Sequence, residues 1–168
     1  MQKSVIGCAG LFFAVCGSLE AADIVKQNNT EALETGASWV GGVAPGAADV
    51  AVWSNNLAGA NASALSSAAT WDGVKVLNPG GPVTVSGSAR LTLDGGAAAD
   101  INLAAAGQNL TFEGPVSMGG AVSNEVAAGR VLTFSGPLEI TSSGNWGRSG
   151  WGTVVFDGPV TSAVATTL

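Results

Sequence analysis

The sequence predicts an all-β protein built as a right-handed parallel β-solenoid, or β-helix, with an antiparallel β-sandwich as the alternative. Three observations carry this prediction. LTFEGPVSM from Leu110, LTFSGPLEI from Leu132 and VVFDGPVTS from Val154 follow one another at intervals of 22 residues, and a fixed period of this order marks stacked units that bury their apolar faces against one another. Glycine supplies 25 of the 168 residues, about twice the usual share of ~7%. The runs between Gly-Pro and Asp/Asn-Gly turn signals are short and rich in Val, Leu, Thr and Phe, as strands are. Helical periodicity is confined to a weak stretch, NNTEALET from Asn28 to Thr35.

The first element reads as a secretory signal peptide over residues 1–21. Lys3 makes the start positive, Val5 to Val15 is an apolar run too short to cross a bilayer, which takes about 20 residues, and the small pair Ala21–Ala22 follows as a cleavage site. Cys8 and Cys16 do not sit where a lipid-attachment cysteine would. The remaining domain, residues 22–168, then has no cysteine and must hold itself together by burial and backbone pairing rather than by disulfides. Cleavage removes one base and one acid, so the net charge stays at −6, which argues against nucleic acid or an anionic lipid surface as partner. The chain is 46% apolar and only 11% charged, the reverse of the composition that stays disordered.

The segment ASWVGGVAPGAADVAVWSNN from Ala37 comes next. Gly41–Gly42 and Pro45–Gly46 are turn chemistry, after which Asp49 opens a short strand whose inward face is expected to be Val50, Val52 and Trp53. Trp39, Trp53 and Trp71 are expected to be packing anchors of the first coil. VKVLNPGGPVTVSG, LTLDGG and INLAAAGQN (Val74 to Asn109) share the flavour of the later repeats without their phase. In the last three repeats Phe112, Phe134 and Phe156 keep one register, as do Gly114, Gly136 and Gly158 with their following prolines. One coil of 22 residues suits a parallel β-solenoid, where coils rise by about 4.8 Å and identical residues stack. The three Phe then form an internal stack, the Gly-Pro pairs line one corner, and about six coils give a rod on the order of 30 Å long.

The pattern Ser38-Trp39-x-Gly41-Gly42-x-x-Pro45-Gly46-x-x-Asp49-x-Ala51-x-Trp53, with the later LTLDGG, NLTFEG and VLTFSG phrases, resembles the autotransporter-associated β-strand repeat proteins. The resemblance spans most of residues 22–168. It implies a β-helical passenger exported across a bacterial envelope. The end, TSAVATTL, shows neither the alternating strands of an outer-membrane barrel nor a sorting segment, which is the expectation for a truncated piece or a free secreted form.

The residues offer little for catalysis. There is no His and no Cys beyond the leader, which removes the usual general base, the thiol nucleophile and the main zinc ligands. Asp49, Asp72, Asp94, Asp100, Glu113, Glu125, Glu139 and Asp157 read as single, turn-associated acids, and GGAAAD (Gly95 to Asp100) is one isolated echo of a glycine-rich calcium loop. No cofactor or metal is expected, and an enzyme acting on polysaccharide is the least favoured reading. GNWGRSGWG, Gly144 to Gly152, stands apart: Trp146 and Trp151 flanking Arg148 form a candidate sugar-stacking surface, or else close the end of the rod. The expected function is therefore that of a non-catalytic, adhesin-like structural repeat protein outside the cell, at its surface or in the periplasm. Glycans or other surface proteins are the expected partners, with no membrane span after processing. End-to-end self-association would follow from an uncapped edge strand after the last coil.

Overall fold

A computed structural model describes residues 21–95, 100–120, 123–141 and 147–163; the expected leader lies outside them apart from Ala21. Sixteen strands in chain order run β1 (Ala22–Val25), β2 (Asp49–Trp53), β3 (Asn61–Ala64), β4 (Ala69–Trp71), β5 (Gly73–Val76), β6 (Val83–Ser86), β7 (Leu91–Leu93), β8 (Ile101–Leu103), β9 (Leu110–Phe112), β10 (Val116–Met118), β11 (Ser123–Val126), β12 (Val131–Phe134), β13 (Leu138–Ile140), β14 (Gly147–Ser149), β15 (Thr153–Phe156) and β16 (Val160–Ser162). The helical content is one 3-10 turn, Gly36–Ser38. NNTEALET, the weakly helical stretch, contains no helix among its described residues.

The strands form three sheets that are the faces of a three-sided β-solenoid of about six turns. The first face is β1-β2-β5-β8-β11-β14, the second β3-β6-β9-β12-β15 and the third β4-β7-β10-β13-β16. Every strand pairing between them is parallel, so the antiparallel sandwich is set aside. Parallel neighbours a full coil apart in sequence are what a coiling chain gives, because each strand meets the same face only after one circuit.

Alternation fills the interior. Leu110/Phe112 and Leu132/Phe134 on the second face, Val116/Met118 and Leu138/Ile140 on the third, and Ile101/Leu103 on the first point inward and are almost wholly buried. The Phe file is as expected: Phe112 and Phe134 stack with centroids 5.4 Å apart, and Phe134 and Phe156 follow at 5.7 Å. At the corner between second and third faces, Gly87, Gly114, Gly136 and Gly158 form a file in which a Cβ would strike the coil below. On Gly136 it would lie 2.4 Å from the Glu113 and Gly114 carbonyl oxygens. The prolines after three of these glycines sit at the corner just before a strand, and their carbonyls accept the N–H groups of Leu91, Val116 and Leu138 at 2.9–3.0 Å.

One inward face differs from expectation. On β2 it is Ala51 and Trp53 that join the continuous core, while Val50 and Val52 are buried outside it. Side chains alternate along a strand, and Trp53, docked between Trp39 and Trp71, fixes which parity faces in. The three indoles meet with centroids 5.7–6.3 Å apart, so they are packing anchors of the first coil. Trp39 Nε1 donates to the Leu33 carbonyl at 2.7 Å and Trp53 Nε1 to Asn61 Oδ1 at 3.1 Å, which settles the polar edge of each buried ring.

The segment between β1 and β2 closes the starting end of the rod, here called the head. Val40 N–H bonds to the Val25 carbonyl and Leu33 N–H to Ala64, covering outer edges of β1 and β3, while Leu33 and Trp39 plug the core. Lys26 is buried with its ammonium donating to the carbonyls of Gln27 and Asn29 and to Asn29 Oδ1 at 2.7–3.0 Å. The far end, the tail, has no such segment among the described residues.

Candidate functional site

The sequence-predicted site falls on the tail, at the corner from β14 to β15. Trp146 lies outside the described residues; Arg148 and Trp151 lie within them. The corner narrows along the rod, from seven residues after β2 to four after β11 and three after β14. With three residues the chain has to press onto the coil beneath. Gly150, at φ +82°, and Gly152 do so: a Cβ on either would lie 2.2–2.3 Å from Val126 atoms. Gly152 N–H bonds to the Val126 carbonyl at 2.9 Å, and Trp151, between the two glycines, is thrown outward and 91% exposed. Arg148 braces this turn through Nη2 to the Gly152 carbonyl at 2.6 Å. Arg130 braces the same corner one coil earlier, its Nη1 reaching the Gly107 carbonyl at 2.6 Å. The structure therefore places Arg148 and Trp151 on one exposed turn, the guanidinium bonded to the turn's backbone and the indole in solvent.

Two polar features escaped the sequence reading. Asn124 occupies the inward file of the first face, in register with Ile101 on one side and Arg148 on the other. It is 1% exposed, and neither its amide oxygen nor its nitrogen has a hydrogen-bond partner. Its place in a run of alternating residues, SNEV, gave the only available signal: the coils before it put Ile24, Ala51, Val74 and Ile101 in that file.

The second feature is the corner from third to first face, where acids that look solitary in sequence converge. Asp72 and Asp100 are both buried there, and the Asp94 N–H bonds to the Trp71 carbonyl just before Asp72. Burial pushes the Asp100 carboxyl above the usual range. The Ser123 N–H on Oδ2 opposes the shift and the charge of Asp72 adds to it. Asp100 Oδ1 has no hydrogen-bond partner, and a Cβ on Gly95 would lie 2.2 Å from it. Closed off from solvent, Asp100 tethers β11 to the corner and has no open face toward a substrate. No group of three or more His, Cys, Asp or Glu among the described residues is arranged to hold a metal ion.

On the outer faces the register sets polar side chains in files. Thr84, Thr111 and Thr133 line up on the second face, and Thr70, Thr92, Ser117, Glu139 and Thr161 on the third. Arg90 pairs with Glu139, and Lys75 with Asp23 at 2.7 Å, each pair spanning two coil steps.

No protein-family model, no curated protein and no solved structure matches the chain. A solenoid is a way of stacking coils and does not by itself single out the autotransporter-associated repeats. What the site has to offer is therefore read from its own chemistry: an exposed indole and a guanidinium on one turn held by two glycines, in the last described coil of the solenoid.

Proposed function

We propose that this protein is a non-catalytic structural rod of the autotransporter-associated β-strand repeat type, exported from a bacterial cell and displayed at its surface or released, where it works by presentation and adhesion. The observation that supports this reading is the in-register stacking of coil on coil. The apolar and glycine positions are committed to building a stiff spacer, and what remains outside is flat, regular files of Thr, Ser and paired charges. Such a surface suits extended contact with glycans or other surface proteins. Protease shaving of intact cells, with immunodetection of the released fragments, tests it. Fragments from intact cells are expected; a chain degraded only after lysis overturns export and display.

Trp151 favours a second reading, a carbohydrate-binding module. An indole held in water by a rigid turn, with Arg148 within the same turn, matches how sugar rings are bound: an apolar face stacks and a charged donor takes the hydroxyls. A glycan array is expected to show binding by the wild-type chain that falls at least tenfold in Trp151→Ala. Wild-type protein that binds no glycan sinks this reading and leaves the rod untouched.

A further inference from the structure

Asp100 precedes β8 with its side chain folded into the corner between the third and first faces, and it is only 1% exposed. One carboxyl oxygen, Oδ2, accepts the Ser123 N–H from the next coil; the other, Oδ1, has no hydrogen-bond partner. An ionised carboxylate offers about four acceptor sites, so a buried one served by a single donor is poorly compensated. Gly95 closes one side of Oδ1, since even a Cβ there would lie 2.2 Å from this oxygen.

The surroundings supply no counter-charge. Asp72, 7% exposed, occupies the same corner one coil earlier. Its N–H bonds to the Asp49 carbonyl, and the Asp94 N–H bonds to the Trp71 carbonyl, so two further acids border the corner. Glu125 on β11 adds a fifth acid to the face. The bases on the neighbouring strands are committed elsewhere: Lys75 on β5 to Asp23, Arg90 before β7 to Glu139, and Arg148 on β14 to the Gly152 carbonyl. The connecting residues 96–99, 121–122 and 142–146 contain no ionisable side chain.

We propose that Asp100 is a proton-controlled latch: as a neutral acid it closes the corner between adjoining coils, and as a carboxylate it loosens it. The neutral form keeps the Ser123 bond through Oδ2 and carries its proton on Oδ1, which then needs no donor. Ionisation sets a second negative charge near Asp72 in a place closed to water. Burial first, and then the charge of Asp72, hold the Asp100 carboxyl above the usual carboxylate range, against the pull of the Ser123 N–H. From the ordinary value of about 3.9 up to that raised value, the folded chain keeps a proton that the unfolded chain has released. Stability contributed by this group therefore falls as pH rises through the interval and levels off above it. The strain reaches the backbone directly, because the Val74 N–H bonds to the Asp100 carbonyl at 2.7 Å and the Asp100 N–H to the Ser123 carbonyl at 2.9 Å.

The inference goes beyond display, adhesion or sugar binding and depends on none of them. Carbon-13 NMR titration of the Asp100 carboxyl in the full chain tests it, together with urea unfolding of wild type and Asp100→Asn from about pH 3 to about pH 8. Asparagine copies the outline of the neutral acid, and its Oδ1 can accept the Ser123 N–H. The carboxyl is expected to titrate at least one pH unit above the ordinary value of about 3.9. Through that transition the folded-to-unfolded ratio should fall at least tenfold further in wild type than in Asp100→Asn, and the Val74, Asp100 and Ser123 amides should exchange faster. Should the variant not fold, the titration of wild type decides alone. An Asp100 carboxyl that titrates at or below about 3.9 overturns the proposal, and so do parallel pH curves for wild type and Asp100→Asn.

Discussion

Lys26 holds its ammonium where water does not reach, and the loss of hydration pushes its pKa down to about 8 from 10.5, against a partial pull upward from Glu31. The unfolded chain therefore binds more protons than the folded one between these values. Stability is expected to rise with pH from about 8 to 10.5, by an amount on the order of 3 kcal/mol if the full shift is expressed. The protein has no Tyr and no His, so few other groups titrate in that window. Urea midpoints measured across it should climb in the wild type and stay level in Lys26→Met. That variant should be less stable at every pH up to neutral, because three acceptors lose their donor. Asn124 is the opposite case. Its buried amide has no partner, while the equivalent positions in earlier coils are Ala51, Val74 and Ile101. Asn124→Leu, which keeps the same branched outline without the polar atoms, should stabilise by roughly 1–3 kcal/mol, read as a rise in Tm; an unchanged or lower Tm would mean the amide is satisfied in solution or the larger methyl groups do not fit.

Corners, more than strands, decide where the elements fall. Gly136 sits in a file where the nearest carbonyl oxygens leave no room for a side chain, so Gly136→Ala should cost about 1–3 kcal/mol despite a backbone any residue could adopt. Gly129, whose added Cβ would meet nothing, has φ +74°; substitution there should cost only about 1 kcal/mol of backbone strain. Thermal melts of the two alanine variants give the comparison. The same corners explain what could be read from the sequence. From β9 onward each full circuit takes 22 residues, so Leu132 follows Leu110 and Val154 follows Leu132 at one strict period, and the Phe stack, the Gly-Pro corner and the coil count were all legible. Upstream, seven residues separate β7 from β8, where four separate β10 from β11. The stack therefore continues with Val83 paired to Leu110, 27 positions away, and no sliding comparison at 22 could show it. The convergence of Asp72, Asp94 and Asp100 was hidden for the same reason, since that long corner carries two of them. On β2 four adjacent residues are buried, so hydrophobicity could not distinguish inward from outward, and only the Trp cluster, a tertiary contact, fixed the parity.

A stack of coils is stabilised by nearest-neighbour interfaces, so an end with one neighbour is weaker than the middle with two. The two ends here are unequal. At the head, Leu33 and Trp39 close the core and cross-coil bonds tie the covering segment down, including Asn61 Nδ2 to the Asn29 carbonyl and Asn56 Nδ2 to Lys26, both under 3 Å. At the tail, every residue of β14 and β16 is exposed, and Phe156 is itself partly exposed. Opening of β14–β16 breaks one interface, whereas opening of β8–β10 breaks two and uncovers the interior. Amide hydrogen exchange under native conditions should therefore form a gradient, with the N–H groups of Leu138 and Asp157 exchanging orders of magnitude sooner than those of Val83 and Leu91, which should approach the global unfolding free energy. Truncation of the Phe file should follow the same slope. Phe134→Ala removes a ring covered on both faces and should cost about 3–5 kcal/mol, and Phe156→Ala should cost less than half of that. Uniform exchange along the rod at a concentration where the protein is monomeric would refute an unequal pair of ends.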